Sequence, residues 1–306
     1  MVSVATYVFL DLETTGIPRE ETNRTKITEL SMVAVKRQHL LLTRAGATPR
    51  VQNKLTICFN PCRMVQPGST TTTGLCNDLL EYETKFNEDA FSAINSFLNI
   101  LTKPVCLIAQ NGHNFDFPIL KNHLVKLSVK FSDDLLCADC LHAFYDILEK
   151  VKIPELCKSV NEENIDKSNE VGLTKTNLEQ KVGSDKEFDD EDKKKSMQEI
   201  NETTPKHQKI KITGAPKMVD RQRLSKVRRR FPWCEGTKPR DSYKLKNLYE
   251  RVLHRPGIEA HRAENDCIMA LEVSVALAKD FVEWVDANHC LFTEVKPMTI
   301  GVRLGE

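Results

Sequence analysis

Tyr7-Val8-Phe9-Leu10-Asp11-Leu12-Glu13-Thr14-Thr15-Gly16 is an apolar run that ends in two carboxylates. Side chains at i and i+2 of a strand share one face, so Asp11 and Glu13 project together where the strand runs out. Folding alone does not favour this. Unpaired at the edge of a buried strand, each carboxylate carries a large desolvation cost, and bound divalent cations would remove it.

Working outward, residues 4–12 read as a buried strand entering the Thr14-Thr15-Gly16-Ile17-Pro18 turn. Residues 27–36 form a second, strongly patterned strand, and 54–59 a third, closed by Asn60-Pro61. A short helix is expected at 76–82 and an amphipathic one at 88–101. Residues 104–110 look like a fully buried strand that Asn111-Gly112 interrupts. A helix starting at 116–118 carries Ile119, Leu120, Leu124 and Leu127 at helical spacing. A strand near 134–139 then leads into a helix at 140–150. Three strands on short connections, followed by strand–helix alternation, predict an α/β domain with a mixed sheet.

The composition changes after residue 155. Residues 158–204 are polar, aromatic-poor and rich in Asn, Glu, Lys and Asp, the signature of a disordered insert. From 206 the charge turns basic, ending in Lys226-Val227-Arg228-Arg229-Arg230. That run has three readings, in order a solvated positive stretch, a nucleic-acid-steering arm and a nuclear import signal. Order is expected to resume near Ser242-Tyr243-Lys244-Leu245, with helices at 244–253 and 263–284. The expected organisation is therefore a domain in two parts, 1–155 and 240–295, around an acidic-then-basic insert at 156–239, with a tail at 296–306. Loop-closure entropy rises only slowly with length, so such an insert is tolerable.

Net charge is +1 over 306 residues, so any attraction to polyanions must be local. The ten cysteines are scattered, and the one Cys-x-x-Cys, Cys137-Ala138-Asp139-Cys140, has no second pair at zinc spacing. They read as reduced thiols of an intracellular protein. No apolar stretch reaches the roughly 18–20 residues of a membrane span, so a soluble protein is expected.

Five residues carry the chemistry: Asp11, Glu13, Asp116, His261 and Asp266. Taken singly, Asp116 reads as a helix N-cap, His261 as a surface histidine and Asp266 as a solvated helix residue. Together they match two-metal phosphodiester hydrolysis. Carboxylates hold two hard cations, which generate hydroxide and stabilise the leaving 3′ oxygen, and a nearby histidine serves as general base.

Phe9-Leu10-Asp11-Leu12-Glu13-Thr14-Thr15-Gly16 resembles the first motif of the DnaQ-like, DEDDh-type 3′→5′ exonucleases, which have a ribonuclease H-like fold. Asn111-Gly112-His113-Asn114-Phe115-Asp116-Phe117-Pro118 resembles the second motif, and His261-Arg262-Ala263-Glu264-Asn265-Asp266 the third. Gly16-Ile17-Pro18, Thr28-Glu29-Leu30, Thr73-Gly74-Leu75 and Ser242-Tyr243-Lys244-Leu245 are similar to the three-prime repair exonuclease branch. The resemblance implies a mixed central sheet flanked by helices, and a 3′→5′ exodeoxyribonuclease that releases nucleoside 5′-monophosphates from single-stranded or frayed DNA ends. It makes Asp11, Glu13, Asp116 and Asp266 ligands of two Mg²⁺ ions, with Mn²⁺ able to substitute, and His261 the general base. Glu13, Thr15, Gly16, Ile17, Asn114, Tyr243 and His261 are the implied substrate contacts, Ile17 lying against the terminal base. Tyr243 by itself reads as core packing as readily as a DNA contact.

Asn114 stands where some branch members carry a basic residue, which weakens one expected DNA contact. The long apolar tail that anchors one subgroup to membranes has no counterpart, so no membrane partner is expected. A homodimer is implied, with strand 54–59 as a candidate edge, and residence in nucleus or cytoplasm. The rival readings are an exoribonuclease of the same fold and a non-catalytic nucleic-acid-binding module.

Overall fold

The computed structural model describes residues 2–149, 227–228, 230–234 and 238–301. Its frame is a six-stranded sheet of β1 (Thr6–Thr14), β2 (Ile27–Lys36), β3 (Asn53–Cys58), β4 (Val105–Ala109), β5 (Leu136–Asp139) and β6 (Cys290–Leu291). The spatial order is β3-β2-β1-β4-β5-β6. β3, β2 and β1 run antiparallel, β1, β4 and β5 run parallel, and β6 returns antiparallel to β5. The expected mixed α/β architecture is borne out.

Alternation along β1 builds two cores. Tyr7 and Phe9 face one way, and Val8, Leu10 and Leu12 the other. The odd face packs with Val33, Val35, Cys106 and Ile108 against a helical layer. That layer comprises α6 (residues 140–149), α7 (Leu245–Leu253), α8 (Ala263–Ala276) and α9 (Ala278–Asn288). The even face packs against α4 (Glu88–Asn99) and α5 (Asp116–Lys126). Both faces of the parallel strands are covered, which is why β4 reads as an unbroken apolar run.

The single helix expected at 263–284 is two helices, broken at Leu277 (φ −108°, ψ 26°). α8 is apolar almost all round because it is buried among its neighbours, and a helix without a stripe carries no phase by which to detect a break. α9 turns its own stripe, Phe281, Val282, Trp284 and Val285, onto the odd-face core. Four elements went unread: α1 (Arg37–Leu42), α2 (Pro67–Thr73), β6 and a 3-10 turn at Phe292–Glu294. The short helix expected at 76–82 is α3 (Asn77–Leu80).

Residues 156–226 of the expected insert lie outside the described residues. Residues 230–234, which the sequence reading placed within it, pack on the body: Trp233 lies 5.7 Å from Tyr145 and 6.0 Å from Tyr243 between ring centroids. Arg228, read as part of a free basic run, pairs with Asp146 at 3.2 Å. The nine cysteines among the described residues are free thiols. No helix among the described residues is long and apolar enough to cross a membrane.

Candidate active site

Asp11 and Glu13 continue the face begun by Tyr7 and Phe9, so strand periodicity aims them at the side where α8 lies. A bulge between Glu13 and Thr14 ends the regular pairing with β2, immediately past the register that sets Glu13 opposite Glu29. β1, β4 and β5 are parallel, so their C-terminal ends share one edge, the usual place for a ligand in an open α/β sheet.

After β4 the chain turns sharply through Asn111 (φ 59°) and Gly112 into α5. Gly112 is required: a Cβ there would lie 2.7 Å from the Cβ of Ala109 and 2.8 Å from the Phe117 ring. The tight turn swings Asp116 onto β1, where the Leu12 N–H donates to its Oδ1 at 3.1 Å. The N-terminus of α8 arrives from the other side. The Ala263 N–H donates to Glu29 Oε2 at 3.0 Å, and the His261 N–H donates to Asp266 Oδ2 at 2.8 Å. His261 has φ 66°, in the left-handed region that a non-glycine residue occupies only at a cost. Ligand-type atoms of Glu13, His261 and Asp266 all lie within 4.8 Å of one another.

The electrostatics follow from this crowding. Burial, reinforced by Asp116, Asp266, Glu13 and Glu29, pushes the Asp11 carboxyl well above the usual range. Burial also raises Asp116 strongly, although its backbone hydrogen bonds oppose the shift. Glu13 is pushed up to about 8 by burial and by the charges of Asp266 and Glu29. Asp266 rises only to about 6, because the His261 N–H and the His261 charge hold it back. Each group resists ionising beside the others, and a multivalent cation would let them all ionise. An oxygen-rich donor set of this kind suits hard divalent ions.

A cleft of about 570 Å³ opens above these groups, lined by Asp11, Glu13, Ile17, Phe115, His261 and Asp266 among others. Ile17 is 58% exposed at its rim. Gly16 also lines the cleft and is hemmed in from behind, since a Cβ would meet Gln66 Cδ at 2.6 Å. The other implied contacts are less direct. Thr15 is buried, its hydroxyl donating to Glu21 at 2.8 Å and accepting from the Lys26 N–H at 3.1 Å, so its side chain braces the turn. Asn114 spends its amide on Asn111 Oδ1 at 2.8 Å. Tyr243 is buried with its hydroxyl donating to Glu149 at 2.6 Å and the Arg251 guanidinium over its ring, which favours the packing reading.

Two acidic residues were not among the site residues read from the sequence. Glu29 faces Glu13 across the sheet and holds the first turn of α8. Asp139 ends β5 and accepts N–H groups of Asn111, His113 and Leu141, at 2.9, 3.2 and 3.0 Å. Burial pushes Asp139 up to about 7. It thereby fixes the turn that delivers Asp116. The signal was present: Asp139 closes an apolar strand as Asp11 does, but it was read only as filler in Cys-x-x-Cys.

An α/β sheet that gathers four carboxylates and a histidine at the ends of its parallel strands defines a carboxylate-centred hydrolase site. The family model for "Exonuclease" (RNase T) matches residues 8–167, more than half of the chain, and the chain belongs to this family. Bovine three-prime repair exonuclease 1 is 26% identical over 97% of this chain and 71% of its own length. Human three prime repair exonuclease 2 is 38% identical over 45% of this chain and 60% of its own length. These relatives bear out the resemblance read from the motifs. A solved Escherichia coli Exonuclease I, in complex with a dT13 oligonucleotide, aligns with a TM-score of 0.47 at 13% identity. That alignment covers 92% of this chain and 43% of the other.

Proposed function

We propose that this exonuclease acts 3′→5′ on DNA, removing nucleoside 5′-monophosphates from single strands or frayed ends. The observation that carries the reading is the convergence of Asp11, Glu13, Asp116, Asp266 and His261 in one cleft. The DNA and 3′ assignments take support from the names of the curated relatives.

Asp11, Glu13, Asp116 and Asp266 would hold two Mg²⁺ ions, or Mn²⁺ in their place. When bound, the ions supply charge neutralisation, acidify water and stabilise the leaving 3′ oxygen. His261, exposed at the cleft, accepts the proton of the attacking water. Its fixed backbone bond to Asp266 sets where the imidazole starts from. Ile17 offers the terminal base an apolar surface, and the Gly16 turn lets the backbone come close. β3, an outer strand of the sheet, is the edge through which two copies would pair. The two-part catalytic domain and the intracellular, nuclear or cytoplasmic setting belong to the same proposal.

The test is purified protein with 5′-labelled DNA and RNA oligonucleotides, in Mg²⁺ or EDTA, beside Asp266→Ala. A Mg²⁺-dependent ladder shortening from the 3′ end of DNA, absent in the variant, is expected. Preference for RNA would reassign the substrate. No ladder on any substrate would leave a binding module.

A further inference from the structure

Beside the catalytic cleft lies a second, larger hollow of about 790 Å³, which shares Gln110, Leu245, His261 and Asp266 with it. Its far wall is unusual in composition. Phe231 lies flat on Trp233, ring centroids 5.1 Å apart and planes 9° apart. Trp233 in turn backs onto Tyr145 and Tyr243, which lie 5.3 Å from each other. The aromatic ladder thus starts in the core and ends at Phe231, which is 45% exposed.

The base of the ladder and its approach are tied to the body. Tyr243 is tied by its hydroxyl to Glu149 and by its carbonyl to the Gln110 side chain at 2.9 Å. Arg228 anchors the approach to Phe231 by its pair with Asp146. Around the same hollow stand Lys238, Arg240, Lys244 and Lys246. Of the two carboxylates that line it, Asp266 belongs to the catalytic cleft as well, and Asp241 is engaged by Arg251 at 3.6 Å.

A phenylalanine that merely capped Trp233 would need neither the hollow nor the cations. A flat exposed ring amid lysines and arginine, continuous with a nuclease cleft, matches what single-stranded nucleic acid requires. Bases of any identity stack on an aromatic face, and the backbone follows a basic groove. We propose that Phe231, backed by Trp233, is a stacking platform for a nucleobase interior to the 3′ end, with Lys238, Arg240 and Lys244 taking the phosphates beside it. This rests on the exonuclease reading above and extends it: the enzyme grips a strand by more than its terminal nucleotide. The grip is indifferent to sequence, because stacking and phosphate contacts carry none.

The test compares full-length wild type, Phe231→Ala and Phe231→Trp on oligothymidylates from two nucleotides upward. KM should fall with length in the wild type, and Phe231→Ala should shrink that fall about 5- to 100-fold. Phe231→Trp should restore it. In parallel, with EDTA to prevent cleavage, oligonucleotides carrying one 2-aminopurine are titrated, the probe stepped inward from the 3′ end. Quenching should peak at one interior position and vanish in Phe231→Ala. Equal length dependence in all three proteins, or quenching that persists in the alanine variant, overturns the platform while hydrolysis upholds the exonuclease. Quenching at one position without hydrolysis in Mg²⁺ would do the reverse. Melting curves of the alanine variant should match the wild type, Phe231 being at the surface.

Discussion

Burial and neighbouring acids push the carboxyls of Asp11, Glu13, Asp116 and Asp266 upward, so in the proposed site each residue's stability effect opposes its functional one. Asp11→Asn should abolish nuclease activity and yet stabilise the metal-free protein by about 1–2 kcal/mol, because it removes one of the repelling charges. Equal or lower stability in urea unfolding would show that the repulsion is already relieved. The pH dependence has a definite sign. A carboxyl whose folded value is raised penalises the folded state above that value, and the penalty is lifted as the pH falls through it. Glu13 at about 8, Asp139 at about 7 and Asp266 at about 6 therefore stabilise the metal-free protein as the pH drops from about 8 to about 5. Saturating Mg²⁺ should flatten this trend, and calorimetry with and without EDTA checks it. His261 combines cost and function in one residue. His261→Gly should lower kcat by about 10²–10⁴-fold without lowering the melting temperature, since glycine adopts φ 66° freely and keeps the N–H bond to Asp266. Asp11 and Glu13 were legible because strand periodicity alone places them side by side. Glu29 was not, because its partnership with Glu13 depends on strand register, which no local pattern encodes.

At the scale of elements, what could be read was what had a period. β2 runs over the ten residues expected, and α5 begins at Asp116 as its apolar spacing implied. α2 was unreadable for the opposite reason. Pro67-Gly68-Ser69-Thr70-Thr71-Thr72-Thr73 has poor helix formers throughout, and the helix exists by virtue of its ends and packing. Pro67 occupies the first turn, Gly74 closes it at φ 76°, and the Ser69 hydroxyl reaches the Thr14 carbonyl at the end of β1. Several cleft-lining residues on that helix were missed with it. The placement of α7 against α8 rests on a polar device equally invisible in one dimension. Buried Glu272 of α8 accepts from Tyr249 of α7 at 2.7 Å, from Arg255 just beyond it, and from Thr48. The loop that carries His261 runs between these helices, and the cluster ties its start at Arg255 to the body of α8. Glu272→Gln should cost roughly 1–3 kcal/mol, below the roughly 3–5 kcal/mol of a broken fully buried pair because Arg255 is partly exposed. The same substitution should lower kcat by at most several-fold when assayed well below its melting temperature. A loss as large as that of His261→Gly would mean that Glu272 takes part in the chemistry itself.

For the whole molecule, the division of labour follows the division of the chain. The described residues of the candidate site, the cleft and the aromatic ladder belong to the unit formed by residues 1–158 and 224–306. Residues 159–223, the other unit, lie outside the described residues. The later part of that segment is nonetheless rich in cations: Lys206, Lys209, Lys211, Lys217, Arg221 and Arg223, with Asp220 the opposing acid. Cations on a segment joined covalently to a nuclease domain would add phosphate contacts whose strength falls steeply with salt. Replacing 159–223 with a Gly/Ser linker should therefore preserve kcat and the melting transition, while raising KM at low ionic strength. The slope of log KM against log salt should become shallower by about one or more, one cation being worth nearly one unit on single strands. Retaining 206–223 while removing only 159–205 should restore the steep slope, and could exceed it, because the acidic run Asp189-Asp190-Glu191-Asp192 would no longer compete for the same lysines. Identical slopes in all three proteins would confine substrate attraction to the folded unit, where Lys238, Arg240 and Lys244 already stand beside Phe231. The two outcomes separate an enzyme that reaches for its substrate from one that holds it only at the cleft.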